Sequence, residues 1–532
     1  MTNFSIKYDE KKISLAKEDL KSEVNSFKDL KTSLFNEKNR PASFKLHLED
    51  ITFDATRHQI SSGALNSAKN LAFLLGVNEW INAVYKGKIA NKTEGRPALH
   101  SVLRLSKLDP LSDQITKEVK EQRNRLLSVT NNIRSGELRA TNGKPYSTIL
   151  AIGIGGSDLG PKMAVKALSH FHSGPKIKFA SNVDPSNFIE ASKDLNPSST
   201  LLVVSSKTFT TTETITNANL AFNWMSKTLG ENAAKKQRLA ITSSLENALA
   251  YGFAEDQILL FSSWVGGRTS IWSSVGLPIA IAIGSENFKS FLSGGELVDN
   301  HVLSDISNSI PFLMAILGFI QRTFMKSTSQ AIIPYSYNLR LLPNYLQQLE
   351  MESNGKSVTN EGIYLNDPCV PVIWGASGTD AQHSFFQMLH QGVEKIPTDI
   401  LLARSPSYNT NNPDIIESHK ILAANALAQC EALSKGKVSR LPHKNFPGGR
   451  SVSLLTFNQI SPRTLGAIIA LYEYKVSIQA AMWRINPYDQ FGVELGKELA
   501  EALISGNEKE AGMEIGSLKK LLKIIPEKDI KI

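Results

Sequence analysis

Cysteine is scarce: a chain of 532 residues carries two, Cys369 and Cys430. Two thiols build no disulfide framework, so the fold must rest on its own core. Histidine offers no metal set either. His170 and His172 are the only closely spaced pair, and neither a cysteine nor a third histidine lies nearby to complete a zinc site. Long hydrophobic runs are missing. The most apolar stretch, Ile310 to Ile320, is too short to cross a bilayer and is interrupted by Pro311 and Gly318. The first residues lack the basic head and apolar run of a signal peptide. A dominant charge of one sign is also absent. The net charge of +9 is modest for this length, and no basic stripe suits nucleic acid. The chain is expected in a reducing cytoplasm, with no metal and no membrane or nucleic-acid partner. Its mild positive field suits a small anionic substrate.

What is present points to more than one domain, since 532 residues exceed a single ordinary core. The stretch up to about Pro41 reads as helices or a wrapping arm, and the next, to about Gly136, as largely helical. From Tyr146 short apolar runs alternate with helical segments. Strands are expected at Thr148 to Ile154, Lys176 to Ala180, Leu201 to Val204, Arg238 to Ile241 and Ile258 to Phe261. After long apolar helices between Ser273 and Lys326, a second series is expected at Ala331 to Tyr335, Val370 to Trp374, Asp399 to Ala403 and Val452 to Phe457. Such alternation predicts an α/β protein with two doubly wound, mainly parallel sheets covered by helices. Gly153 to Asp158 and Gly375 to Asp380 share a G-x-x-G-[ST]-D skeleton, which suggests a distant duplication.

Several loops carry chemistry. Ser205-Ser206-Lys207-Thr208-Phe209-Thr210-Thr211 follows a strand and opens a helix. Hydroxyls, one lysine and free N–H groups at a helix N-terminus make a phosphate site, and no nucleotide motif accompanies it. Gly153 to Gly160 is neither a dinucleotide fingerprint nor a P-loop, but its glycines let backbone approach a ligand and Ser157 can donate. Arg268 follows Gly266-Gly267, where it is either a surface cation or a stabiliser of a developing oxyanion. Glu352 ends the helical run through Leu342, Tyr345, Leu346 and Leu349, with Gly355 suited to a cap. A carboxylate there sits in partial negative charge, so it is either a solvated helix end or a general base. His383, Gln387 and His390 share one face of an expected capped helix, opposite Phe385, Met388 and Leu389; that face is surface or active site. Lys497 lies on the stripe Val493, Gly496, Ala500, Ile504, and is either snorkelling or employed.

The phrases GIGGSDLGP, SKTFTTTET, GGRTSIWSSVG, MESNGKSV, GTDAQHSFFQMLHQG and DQFGVELGK, with NKTEGRPALH before them, resemble the glucose-6-phosphate isomerase (phosphoglucose isomerase) family over nearly the whole chain. The resemblance implies two sugar-isomerase (SIS) αβα-sandwich domains with helical N- and C-terminal arms. The implied divisions are 1–137 for the arm and part of the large domain, 138–285 for the small domain, 286–505 for the large domain and 506–532 for a tail. It implies reversible interconversion of glucose 6-phosphate and fructose 6-phosphate through a cis-enediol, in glycolysis and gluconeogenesis, without cofactor, in a cytoplasmic homodimer. By motif, Glu352 resembles the base and Arg268 the enediolate-stabilising arginine. His383 resembles the ring-opening residue, contributed across the subunit interface, and Lys497 the lysine that assists it. Ser157, Ser206, Lys207, Thr208 and Thr211 match phosphate and sugar contacts, and Gln348 and Gln490 further substrate contacts. A sugar-phosphate sensor on the same scaffold would need only the phosphate loop, and a related isomerase would differ in its sugar.

Overall fold

The apolar runs become strands with few surprises. In the computed structural model, which describes all residues except 1–3, 28, 31–36, 38, 108–111, 409 and 506–532, strands β3 (Thr148–Ile152), β4 (Lys176–Ala180), β5 (Thr200–Ser205), β6 (Arg238–Thr242) and β7 (Ile258–Leu260) form one parallel sheet in the order β4-β3-β5-β6-β7. Every residue of β3, β5 and β6 is buried, as expected for strands covered by helices on both faces.

The second sheet has six strands: β1 (Lys45–Leu48), β2 (Ile51–Arg57), β8 (Ser329–Tyr335), β9 (Val372–Trp374), β10 (Thr398–Ala403) and β11 (Val452–Phe457), in the order β1-β2-β11-β10-β8-β9. Its parallel part, β9-β8-β10-β11, repeats the winding β4-β3-β5-β6 of the first sheet. The shared glycine skeleton does not follow this correspondence. Gly153 follows β3, the first strand of its series, whereas Gly375 follows β9, the second of its own. The motif match therefore reflects similar turn chemistry at non-equivalent strands. The sequence reading also missed β1 (Lys45–Leu48) and β2 (Ile51–Arg57), an antiparallel hairpin that pairs with β11. The period-2 pattern is present, with Leu46 and Leu48, then Ile51, Phe53 and Ala55, separated by polar residues, but it is short and lies in a stretch whose other segments are helical.

The chain forms two compact units, Met1–Tyr488 and Asp489–Ile532. Both sheets belong to the first. At its centre the helix Pro462–Trp483 is buried on nearly every face. Such a helix must pair its charges internally. Glu473 accepts from Arg104 Nη1 at 2.5 Å and from Trp272 Nε1 at 2.8 Å, and Lys475 Nζ lies 2.7 Å from Glu350 Oε2. In the second unit a short turn, Phe491–Val493, leads into the helix Glu494–Ser505. The expected tail 506–532 lies outside the described residues. Among the described residues no helix is long and apolar enough to cross a membrane, and both cysteines are buried free thiols.

Candidate active site

In a doubly wound sheet, ligands bind beyond the strand ends where the winding reverses. In the first sheet that point lies between β3 and β5, and the loops that leave these two strands are Gly153–Gly160 and Ser206–Thr211. The first loop starts close to the end of β5: a Cβ on Gly153 would lie 3.1 Å from the Ser205 carbonyl oxygen. A Cβ built on Gly155, which sits at φ +57°, would lie 3.2 Å from Gln348 Nε2. At Gly156 the backbone of Gly267 fills the space a side chain would need. Three loops and one helix thus converge, with Ser157 half-buried among them.

The hydroxyl-rich loop is held from within. Phe209 takes φ +57° and is buried; its N–H donates to Ser206 Oγ at 3.1 Å, and Ser206 Oγ donates to Thr211 Oγ1 at 3.3 Å. Thr208 and Thr210 share a hydroxyl hydrogen bond of 2.8 Å. Thr211 precedes the helix Thr212–Leu229 without a side-chain cap, so no Thr211 hydroxyl occupies the first-turn amides. The Lys207 carbonyl is fixed by the Ser243 N–H at 3.0 Å, and its Nζ donates to the Val265 carbonyl at 2.8 Å. Burial lowers the Lys207 pKa to about 8; Arg96 and Arg268 push the same way, and Glu94 opposes them.

Arg268 and Glu352 form the centre. Arg268 is 4% exposed; its Nη1 donates to Glu352 Oε1 at 2.5 Å and its Nη2 to the Pro487 carbonyl at 2.6 Å. Gln348 Nε2 donates to Glu352 Oε2 at 3.0 Å, while Gln348 Oε1 is buried without a hydrogen-bond partner among the described residues. The awkward helix-end carboxylate is thus compensated by a cation from a loop 84 residues earlier in the chain. The helix itself differs from the simple one expected. It starts regularly at Leu342–Leu346 and continues over Gln347–Glu352 in wide π-type turns. Such turns alter the angle between successive side chains and recur at functional sites. Here they send Glu350 inward to Lys475 and leave Glu352 partly open, its side chain 23% exposed. Gly355 does not adopt a left-handed cap; its N–H bonds to the Met351 carbonyl at 2.9 Å.

His383 is placed elsewhere. The expected continuous helix breaks into Gly378–Gln382 and Phe386–Gln391, and His383 is exposed in the turn between them. The expected faces do not hold, because the break resets the phase. Phe386 and Leu389 are buried but Met388 is 45% exposed, and His390 Nε2 lies 2.7 Å from Gln429 Oε1. Gln490 and Lys497 belong to the second unit, Lys497 on its helix Glu494–Ser505.

Sequence reasoning understates the segment Asn91 to His100. Its residues suggest a polar loop leading into a helix. The chain instead makes a tight loop closed by the Asn91–Arg96 bridge and followed by a short 3₁₀ turn, His100–Arg104. With Arg268, Ser477 and Tyr488, its residues Asn91, Arg96 and His100 line a pocket on which Glu352 does not border. Burial pushes the His100 imidazole down to about 3, and Arg104 adds to it. The density of polar residues in this loop was the available signal.

Residues 54–519 match the family described as phosphoglucose isomerase. Glucose-6-phosphate isomerase of Brucella ovis is 40% identical over 511 residues, covering 91% of this chain and 92% of that one. The protein of the same name from a Chelativorans species is 39% identical, covering 90% and 91%. The crystal structure of a glucose-6-phosphate isomerase from Chlamydia trachomatis superimposes with a TM-score of 0.86 at 30% identity, over 96% of this chain and 98% of that one. A hypothetical protein from Thermus thermophilus, at 22% identity and a TM-score of 0.65, shares the fold over 85% of this chain and 99% of that one. The chain therefore belongs to the phosphoglucose isomerase family.

Proposed function

We propose that this chain interconverts glucose 6-phosphate and fructose 6-phosphate, the aldose–ketose step of glycolysis and gluconeogenesis, in the cytoplasm. The observation that carries this reading is the Arg268–Glu352 contact of 2.5 Å beside a lysine- and hydroxyl-lined loop. A proton next to a carbonyl is weakly acidic, so its removal needs a positioned base and stabilisation of the enediolate charge. Glu352 is the base that moves the proton between C2 and C1, and Arg268 stabilises the enediolate. A single carboxylate serves both carbons while the intermediate stays cis, and the step needs no metal or organic cofactor.

Ser157, Ser206, Lys207, Thr208 and Thr211 hold the phosphate and sugar, which supplies binding energy away from the reacting carbons. Gln348 presents an unpaired acceptor for a sugar hydroxyl, and Gln490 adds a further contact. Lys497 assists ring opening by His383, which acts in the site of a neighbouring subunit of a homodimer. Exposed apolar side chains on the segments that follow His383 support such an assembly. Met388 and Val393 lie beside it in sequence, and Val438 and Leu441 lie on a hairpin whose His443 and Asn445 carbonyls accept from Gln391 Nε2 at 3.1 and 2.9 Å. The test is fructose 6-phosphate turnover in a coupled assay. Glu352→Gln is expected to fold normally and to lose about 10²–10⁴-fold in kcat. Turnover by the variant within a few-fold of the wild type would remove Glu352 from the mechanism.

A further inference from the structure

The Arg268 guanidinium donates to a carboxylate and to a backbone carbonyl. The carbonyl belongs to Pro487, so the aim of the arginine depends on how the turn Asn486-Pro487-Tyr488 is held. Asn486 is 6% exposed, and its amide is used on both sides. Its Oδ1 accepts from the Tyr488 N–H at 3.0 Å, closing an Asx turn around Pro487. Its Nδ2 donates to Asn91 Oδ1 at 2.9 Å and to Thr93 Oγ1 at 2.9 Å. The proline fixes one backbone dihedral of the turn and the Asx bond restrains the other. The turn is pinned further at Tyr488. Its ring stacks on Trp80 at 6.1 Å, its hydroxyl lies 2.9 Å from Ser477 Oγ, and its carbonyl accepts from Asn91 Nδ2 at 3.4 Å.

We infer that Asn486 is a positioning residue for Arg268. Its amide ties the Asn91–Thr93 loop to the turn, and the turn presents the Pro487 carbonyl to Nη2, which leaves Nη1 directed at Glu352. The role rests on the proposed reading of Arg268 and Glu352 and adds to it a residue outside that pair. A guanidinium that has lost its anchor rotates, and misplacement by about 1 Å costs on the order of 10²-fold in rate. The Asn486 side chain bonds to the Asn91–Thr93 loop and within its own turn, so substrate affinity is expected to be preserved.

The experiment is a double-mutant cycle in the full chain with fructose 6-phosphate as substrate. Asn486→Ala should lower kcat by roughly 10–100-fold and move KM by less than about threefold. In an Arg268→Ala background the same substitution should cost nothing further, because the group it positions is gone. Thr93→Val, which removes one acceptor at an exposed position, should lower kcat several-fold in the wild type and not in Arg268→Ala. It carries the test if Asn486→Ala does not fold. An additive loss in the Arg268→Ala background overturns the positioning role alone. An Arg268→Ala variant with normal turnover overturns the reading of Arg268, and the positioning role with it.

Discussion

Gly156 offers the sharpest perturbation of the site without touching a reacting group. A Cβ built there lies 2.0 Å from the Gly267 carbonyl oxygen, 2.2 Å from its carbon and 2.9 Å from the Arg268 nitrogen. The clash is with backbone, so no side-chain rotation relieves it. Ordinary contact needs about 3.5 Å, so Gly156→Ala must push the two loops apart by something on the order of 1.5 Å. One loop carries Ser157 and the other Arg268, whose Nη1 now sits 2.5 Å from Glu352. A shift of that size opens this hydrogen bond and separates the proposed phosphate loop from the Arg268–Glu352 pair. Overpacking of this kind costs about 1–3 kcal/mol of stability, which a domain this well buried tolerates. The loss in kcat is expected at roughly 100-fold. The assay is steady-state turnover of fructose 6-phosphate, with thermal unfolding as the check on folding. Gly160→Ala, four residues on in the first turn of the following helix, is the control, because its Cβ would meet neighbours at an ordinary 3.4 Å. If Gly156→Ala turned over within twofold of the wild type, the claim that loop contact sets the Arg268–Glu352 geometry would be refuted.

Lys207, with its pKa lowered to about 8, should be charged at neutral pH and neutral above, so kcat/KM should fall as pH rises through about 8. Lys207→Met should raise KM and abolish that limb; a limb unchanged in the variant would detach it from Lys207. His58 is buried and its imidazole is pushed down to about 3, by burial first and by the Arg40 guanidinium second. Because the folded state binds this proton more weakly than the unfolded state, the stability is intact above about pH 6.5 and is lost as pH falls toward 3. At pH 5 the loss is about 2 kcal/mol. Urea unfolding at pH 7 and 5 should show a shallower slope for His58→Gln, and an equal slope would contradict the linkage. Lys475→Met strands the buried Glu350 and should cost roughly 3–5 kcal/mol. Adding Glu350→Gln should recover part of it in thermal unfolding, and no recovery would mean the pair is not the source.

Strand positions, the winding of two mainly parallel sheets and the loops proposed to hold the substrate were legible in the sequence. Each is a local matter: an apolar run between glycines makes a buried strand, and hydroxyls at a helix start make an anion site. The family phrases added roles to residues but no geometry. The place of the β1–β2 hairpin in the sheet was not legible, although Ile51, Phe53 and Ala55 alternate with polar residues, because its pairing partner β11 lies far along the chain. Neither was the break at His383, where tertiary packing overrides a helical pattern. At Glu352 the division is sharpest. Its position near a helix end follows from sequence alone, with the electrostatic tension that implies. The relief of that tension by Arg268, the wide turns that aim Glu350 and Glu352 apart, and the Pro487 carbonyl that shares the arginine all depend on groups far apart in the chain. Only the folded chain brings such groups within a few ångströms, and short-range electrostatics act at that distance alone.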